Sequence, residues 1–317
     1  MATFGSAARA LDVAPPGEAC SAREKAAEAA EHAARVGARM LVRGEEGYPA
    51  ALEELHDPPP VLFAIGDMAA LAPPVCAIVG TRGATAYGER VAREIATALA
   101  RAGVCVLSGM ARGIDGVAHR AALDAGGRTA AVLGTGVDLA YPSAHRGLHE
   151  RIARSGLLLS EELPGDRASA GSFPKRNRLI AALAAATIVV EAPKDSGALI
   201  TATHASDLHR TVASVPGPID APTCSGSNLL LRDGAVMMCE VADALALFGL
   251  SAPRTRAPLL ATAAERTVWE ALGAGAAAID DLCARTGLPA RECLVAVSAL
   301  EIQGAIACEM TGEIRRT

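Results

Sequence analysis

VCAIVGTRGATAYGERVAREIATALARAGVCVLSG, residues 75–109, is the stretch that decides the fold of this chain. A continuous aliphatic run at 75–79 ends in a Gly-rich turn, a helical pattern covers 89–102, and a second apolar run at 104–107 ends in another glycine loop. Continuous rather than alternating hydrophobicity is typical of strands that are buried on both faces, as in parallel sheets. The stretch therefore predicts a strand, a helix and a second, parallel strand.

The same pattern continues toward the C-terminus. Further apolar runs end in Gly-rich or hydroxyl-containing loops at 129–133, 157–160, 187–191 and 211–215. A series of this length predicts an α/β fold with a doubly wound, mostly parallel sheet and right-handed crossovers, in which ligands bind at the carboxyl ends of the strands. The loops that follow the strands are therefore where functional residues are expected.

The N-terminal flank predicts a short module at 1–72, ahead of the main domain at 73–250. Residues 1–22 have little periodicity and predict a mobile tail. The rest of the module is predicted as helix, strand, helix and strand, at 26–36, 40–42, 48–55 and 61–65.

The C-terminal flank predicts a winged-helix domain at 258–317, after the linker SAPRTRAP (251–258). A Thr262–Glu265 capping box starts the first of three helical patterns, and a two-stranded wing follows Gly304. The domain has five basic residues against eight acidic ones, and little basic character on its third helix. Reading base edges usually needs Arg, Lys, Asn or Gln on that helix, so we expect protein contacts or an architectural role instead.

Composition excludes several classes of protein. The chain has 317 residues, a formal net charge of −5 and 51% hydrophobic residues, which excludes disorder over most of its length and a surface that is basic throughout. The longest apolar run, 179–190, is too short to cross a bilayer, and the N-terminus has no continuous apolar segment typical of a secretory signal. A cytoplasmic protein with free cysteines, no membrane contact and no metal is expected.

Two strand-end loops carry candidate anion-binding residues. Glycines let backbone amides approach an anion and arginine can fork onto phosphate oxygens, so both loops suit phosphate. Neither matches GxGxxG or GxxxxGK[ST], which disfavours dinucleotide-binding and P-loop functions. Asp115 is expected to cap the helix that follows the second loop. The candidates are Gly80, Thr81, Arg82, Ser108, Gly109, Arg112 and Gly113.

Residues 167–178, RASAGSFPKRNR, contain four basic residues and no acid. Because a cationic helix start opposes the helix dipole, the segment indicates a function such as holding a polyanion. A further loop ahead of a helix contributes small and hydroxyl residues, so the loops predict a rim for a multi-phosphate ligand, either a nucleotide or a single strand of nucleic acid. The candidates in these two segments are Phe173, Lys175, Arg176, Asn177, Arg178, Ser196, Gly197 and Thr201.

A resemblance to a known family is carried, in order along the chain, by GTR (80–82), SGMARGID (108–115), GTGVD followed by YP (134–142), FPKRNRLIA (173–181), VVEAPKDSGALIT (189–201) and VPGPI (215–219). With these segments the chain closely resembles the DNA-processing protein A family, also called DprA or Smf. The resemblance implies an extended Rossmann-like domain that binds single-stranded DNA, protects it and helps load a RecA-type recombinase in natural transformation. It also implies a homodimer, no cofactor and no catalytic activity, and places Arg82, the 108–115 loop, Lys175, Arg176 and Arg178 around the DNA backbone. Single-strand-binding protein is a further possible partner.

One alternative is an enzyme related to nucleoside-monophosphate phosphoribohydrolases, because GTGVD (134–138) resembles the glycine-rich phosphate turn of those enzymes. Their PGGxGTxxE signature is not found in this sequence. Release of free base from nucleoside monophosphates would favour the enzyme, and failure to bind single-stranded DNA would favour a scaffold that works through its winged helix.

Overall fold

The computed structural model describes residues 16–72, 74–169, 171–250, 259–303, 305–308 and 312–316, in two compact units that divide between Leu250 and Ser251. The first unit contains a sheet of nine strands. Its strands are β1 Arg39–Val42, β2 Val61–Gly66, β3 Val75–Val79, β4 Cys105–Ser108, β5 Thr129–Leu133, β6 Leu157–Ser160, β7 Ala186–Val189, β8 Thr211–Ser214 and β9 Val236–Met237. Its helices are α1 Pro16–Arg35, α2 Ala86–Arg101, α3 Ile114–Asp124, α4 Arg146–Ser155, α5 Ser172–Leu183, α6 Gly197–Asp207, α7 Ser225–Arg232 and α8 Val241–Ala246.

The strand order is β1-β2-β6-β5-β4-β3-β7-β8-β9. All pairs from β6 to β9 in this order are parallel, which confirms the mostly parallel, doubly wound sheet. The central strands are buried over their whole length, so their continuous apolar runs reflect burial on both faces. On the two sides of β3, the first strand of the predicted strand–helix–strand unit, successive strands are added in opposite directions. This reversal of strand order opens a crevice at the carboxyl ends of the strands.

The N-terminal segment differs from its prediction. Helix α1 already begins at Pro16, so the predicted tail is wrong for 16–22, and residues 1–15 lie outside the described chain. The helix predicted at 48–55 is a short 3-10 helix, Ala50–Glu54. Strand β2 pairs antiparallel with β6, with the buried Phe63 opposite Ser160, so the segment extends the main sheet instead of forming a module of its own.

The second unit has the winged-helix architecture. Thr262 caps its first helix through its side chain, as predicted, by accepting from the Glu265 amide. A two-residue strand that the sequence did not reveal adds to the wing, giving the sheet order β10-β12-β11, and the predicted linker 251–258 lies outside the described residues. The elements are α9 Ala263–Ala271, β10 Ala277–Ala278, α10 Ile279–Thr286, α11 Ala290–Ile302, β11 Ile306–Cys308 and β12 Glu313–Arg316.

Among the described residues, none of the helices has the length and apolar character needed to span a membrane. In the same part of the chain, no group of three or more His, Cys, Asp or Glu side chains is placed to hold a metal ion.

Candidate functional site

The loops after β3, β4, β5 and β7, together with the start of α5, border two adjoining cavities at the carboxyl edge of the sheet. The first, of 460 Å³, lies between the Gly80–Arg82 turn, the start of α5 and the loop before α6. The second, of 660 Å³, lies between the same turn, the 109–112 loop and 140–143. Both are lined by Arg82, Ala111, Phe173 and Arg176, so they form one cleft with these residues at its centre.

Arg82 and Phe173 form the exposed centre of this cleft. The Arg82 guanidinium lies 5.3 Å from the centre of the Phe173 ring, a cation–π distance. The Tyr141 ring centre lies 5.1 Å from that of Phe173, with the two ring planes tilted by 35°. Arg82 and Tyr141 are exposed and Phe173 is half-buried, so Phe173 contacts both a cation and a second aromatic ring in the cleft.

Gly113 allows the first two predicted loops to pack closely. It precedes α3 with φ +69°, and a Cβ there would overlap the Thr81 carbonyl oxygen. The Ile114 amide donates to the Thr81 carbonyl at 3.3 Å, and the Thr81 amide donates to the Glu191 carbonyl at 2.7 Å. The backbone therefore fixes the Gly80–Arg82 turn between β4 and β7, which leaves the Arg82 side chain free to face the cleft.

Asp115 does not cap helix α3, which corrects the prediction. The N-cap position is Gly113, and Asp115 Oδ2 instead accepts from the Gly109 amide at 3.1 Å. Arg176 donates from Nη1 to the carbonyl oxygens of Gly109, at 2.7 Å, and Val132. Both side chains are buried, so the acid and the base hold the 108–115 loop from beneath.

Burial governs the pKa values of this pair. It raises the pKa of Asp115, and the positive charge of Arg176 opposes that rise. Burial lowers the pKa of Arg176 to about 10, while Asp115 favours its charged form. With 6% of its surface exposed, Arg176 supports the cleft floor and is not an open cation at the surface, although the sequence pattern grouped it with Lys175.

Two basic residues at the start of α5 form ion pairs with an acid from another part of the chain. Glu161, which follows β6, lies 3.2 Å from Lys175 Nζ and 2.9 Å from Arg178 Nη2. Only 11% of the Arg178 side chain is exposed, whereas 52% of the Lys175 side chain remains exposed. Of the three predicted cations in this segment, Lys175 is thus the one open to solvent.

Some of the small polar candidate residues support the loops, and others line the cavities. The Ser108 hydroxyl is buried and donates to the Ile78 carbonyl at 2.6 Å, so it is not open to a ligand. Asn177 Nδ2 donates to the Gly197 carbonyl at 3.1 Å, and Ser196 accepts from the Ala198 amide at the start of α6. The remaining candidates line the cavities, namely Gly80, Thr81, Asn177, Ser196, Gly197 and Thr201 in the first and Gly109 and Arg112 in the second.

Sequence reasoning missed the role of Glu191. Its side chain is 1% exposed, and its Oε2 accepts from the Thr85 amide at 2.9 Å and from the Thr85 hydroxyl at 3.1 Å. Gly88 leaves room for this carboxylate, since a Cβ there would overlap Oε2. The sequence feature that points to this role is an acidic residue at the end of the apolar run 187–191. Glu191 connects the end of β7 to the start of α2.

The cleft continues beyond Tyr141. A third cavity, of 870 Å³, shares Ala140, Tyr141 and Ser143 with the second one. Two exposed arginines, Arg146 and Arg167, line it. The second cavity shares lining residues with both others, whereas the first and third share none, so the three adjoin in series. Such a series suits an extended chain better than a compact small molecule.

The fold and the cleft define an extended Rossmann-like protein with an open cleft at the carboxyl edge of its parallel sheet and a winged-helix unit at its C-terminus. The chain belongs to the DNA recombination-mediator protein A family, whose model matches residues 39–249, and the model of the DprA winged helix domain matches residues 252–310. The resemblance found in the sequence is confirmed, and the family places the protein in DNA processing and recombination.

Individual relatives agree with this assignment. The DNA processing protein DprA of Mycobacterium tuberculosis is 41% identical over 306 residues, covering 90% of this chain and 79% of the relative. The X-ray structure of DprA from Streptococcus pneumoniae has a TM-score of 0.64 at 38% identity, covering 66% of this chain and 73% of that one. A structure of DNA processing protein A from Helicobacter pylori, described for its single-stranded DNA binding mode, has a TM-score of 0.62 at 31% identity, covering 67% and 96%.

Proposed function

We propose that the protein binds single-stranded DNA along the cleft at the carboxyl edge of the sheet, mainly through the sugar-phosphate backbone. The observation that carries the proposal is the exposed Arg82 at the junction of two cavities, on a turn that the neighbouring loops hold in place. Arg112, exposed in the second cavity, and Lys175, exposed at the start of α5 next in sequence to the lining residues Pro174 and Arg176, add two cations. Arg176, Arg178 and Ser108 contribute by shaping the loops that carry these contacts.

The aromatic residues of the cleft support a single strand rather than a duplex. Unpaired bases can stack on aromatic side chains, whereas the bases of a duplex are already stacked on one another. Phe173 and Tyr141 are the aromatic rings in the cleft, and Tyr141 is open to solvent. Few aromatic residues and contacts that are made mainly to phosphate predict binding that tolerates any sequence and weakens with salt.

The relatives support single-stranded DNA as the ligand, and the finer parts of the proposal rest on the resemblance to the family. The Helicobacter pylori relative is described as binding single-stranded DNA, and the matching family is one of recombination mediators. On this basis the protein protects incoming single strands and helps load a RecA-type recombinase during natural transformation, as a cytoplasmic homodimer that also meets single-strand-binding protein. This role needs no catalysis. The phosphoribohydrolase alternative is not favoured by any of these relatives.

The test compares Arg82→Ala and the double variant Arg82→Ala/Lys175→Ala with Arg232→Ala, which removes an exposed arginine paired with Asp233 outside the cleft. Because charge-assisted contacts to phosphate contribute about 1.5 to 3 kcal/mol each, the double variant should bind oligothymidylate roughly a hundredfold more weakly or worse. Titration by fluorescence anisotropy at two salt concentrations measures this loss. Arg232→Ala should match the wild type. Equal affinity of the double variant and the wild type, or tighter binding of duplex than of single strand, would refute the proposal.

A further inference from the structure

Helices α2 and α3 form a groove that is separate from the cleft and is lined by three arginines. Arg93 and Arg101 of α2 and Arg120 of α3 border a cavity of 320 Å³ between the two helices. Arg93, Thr97 and Arg101 are spaced four residues apart, so they lie along one face of α2. All three arginine side chains are exposed.

The charge in this groove is not balanced. Its one acid, Asp124, lies 2.6 Å from Arg151, which already compensates the carboxylate. None of the three arginines forms a salt bridge with a described residue, whereas Arg90 on the same helix pairs with Glu94 at 3.7 Å. Three unpaired guanidinium groups repel one another and remain together in a chain whose net charge is −5.

Helix dipoles explain only part of this cluster. Arg101 lies in the last turn of α2, where a cation is favourable. Arg93 lies in the middle of the helix, where the dipole provides no such benefit. Since an arginine fork matches phosphate oxygens, a groove with three of them is suited to a chain of phosphates.

We propose that this groove is a second phosphate-binding site, which holds the backbone of the polynucleotide where it extends beyond the cleft. The inference rests on the proposed function. Helix α2 begins directly after the turn that carries Arg82, and at 1.5 Å per residue Arg93 and Arg101 lie about 10 and 22 Å along its axis from Ala86. A strand that passes over Arg82 can therefore follow α2 to the groove.

The experiment measures the affinity of the full chain for oligothymidylates of increasing length, using the variant Arg93→Gln/Arg101→Gln/Arg120→Gln. Short oligomers, which occupy only the cleft, should bind as they do to the wild type. Long oligomers should bind at least about tenfold more weakly, and the slope of log K against log salt should fall by about 2, because each lost phosphate contact on a single strand removes about 0.7.

The matched control is Arg90→Gln/Arg232→Gln, which removes exposed arginines that are already paired with acids. It should leave the affinities for short and long oligomers unchanged. Full affinity of the triple variant for long oligomers would overturn the inference, and so would an equal loss for short and long ones. Arg82→Ala should weaken binding of oligomers of every length. If this variant keeps its full affinity, the cleft proposal fails, and that outcome is distinct from failure of the groove proposal.

Discussion

The cleft of the first unit and the third helix of the winged-helix unit lie in two folds that both often contact nucleic acid, yet their surfaces differ. The cleft exposes Arg82 beside the Phe173 ring, and Lys175 is exposed at the start of α5, which borders the cleft. The third helix, α11, exposes Leu294 and Val295, 52% and 63% accessible, beside Arg291 and Glu292. A fold offers a position for a site, and the side chains exposed there determine which ligand chemistry it suits.

The two regions also differ in what they bury. The cleft rests on buried charged and polar groups, including Asp115, Arg176 and Glu191. The core of the winged-helix unit is formed by apolar residues such as Val268, Leu282 and Leu300. Since buried charges depend on partners and on pH, the first unit should respond to charge changes and acid more strongly than the second.

The largest expected effect comes from Arg176→Ala, which leaves Asp115 buried without its cation. The two groups interact through their charges without a direct ion pair, and the substitution also removes the donor to the Gly109 and Val132 carbonyl oxygens. Leaving a buried charge uncompensated typically costs about 3 to 5 kcal/mol, so the first unit should unfold at lower denaturant concentration and lose DNA binding. The units can be observed separately, because the only tryptophan, Trp269, lies in the second unit and the three tyrosines lie in the first. The unfolding transition that the tyrosine signals report should move to lower denaturant concentration, while the transition reported by Trp269 fluorescence should stay unchanged.

Two further variants serve as controls for Arg176→Ala. Lys175→Ala, next to it but exposed, should change the stability of the first unit by less than about 0.5 kcal/mol. Arg176→Met combined with Asp115→Asn should recover part of the loss, because it removes both charges. Wild-type stability of Arg176→Ala would contradict the supporting role of this residue.

The next effect is acid sensitivity of the first unit. Burial lowers the pKa of His119 to about 3 and also lowers that of His149. Below the unfolded-state value of about 6.5 the unfolded chain binds protons that the folded histidines do not, so stability is present above that pH and falls below it. For His119 alone, the free energy of unfolding falls by about 2 kcal/mol at pH 5.

The winged-helix unit gives the internal comparison for this effect, because none of the seven histidines lies beyond residue 250. Denaturant titrations at pH 7 and pH 5 should move the tyrosine transition to lower concentration and move that of Trp269 less. Equal shifts of both transitions would show that the buried histidines are not responsible.

The smallest effect is expected on deleting residues 258–317. If the cleft holds most of the contacts, the affinity for a short single strand should change by no more than about threefold, within about 0.7 kcal/mol. The same anisotropy titration measures it, with circular dichroism to verify that the first unit is folded. Loss of nearly all binding in the truncated chain would reverse the comparison and move the site to the winged helix.

The sequence predicted much of the fold because the signals are local. The apolar runs at 75–79 and 129–133 are strands with those bounds, since burial on both faces requires continuous hydrophobicity. The two-residue strands β9 and β10 were not predicted because they are too short to produce such a run. The sequence pattern assigns strand β2 to a separate module, because its pairing with β6, far along the chain, leaves no trace in its own sequence.

The candidate site was predicted as a set of loops but not in the role of each side chain. The sequence by itself determined the parallel sheet, the edge at which its loops meet and the presence of Arg82, Lys175 and Phe173 in them. Only the tertiary structure decided that Glu161 pairs with Lys175 and Arg178, and that Arg176 and Asp115 lie buried beneath the cleft. Charge and burial depend on groups brought close in space, and these come from distant strands that a local pattern does not contain.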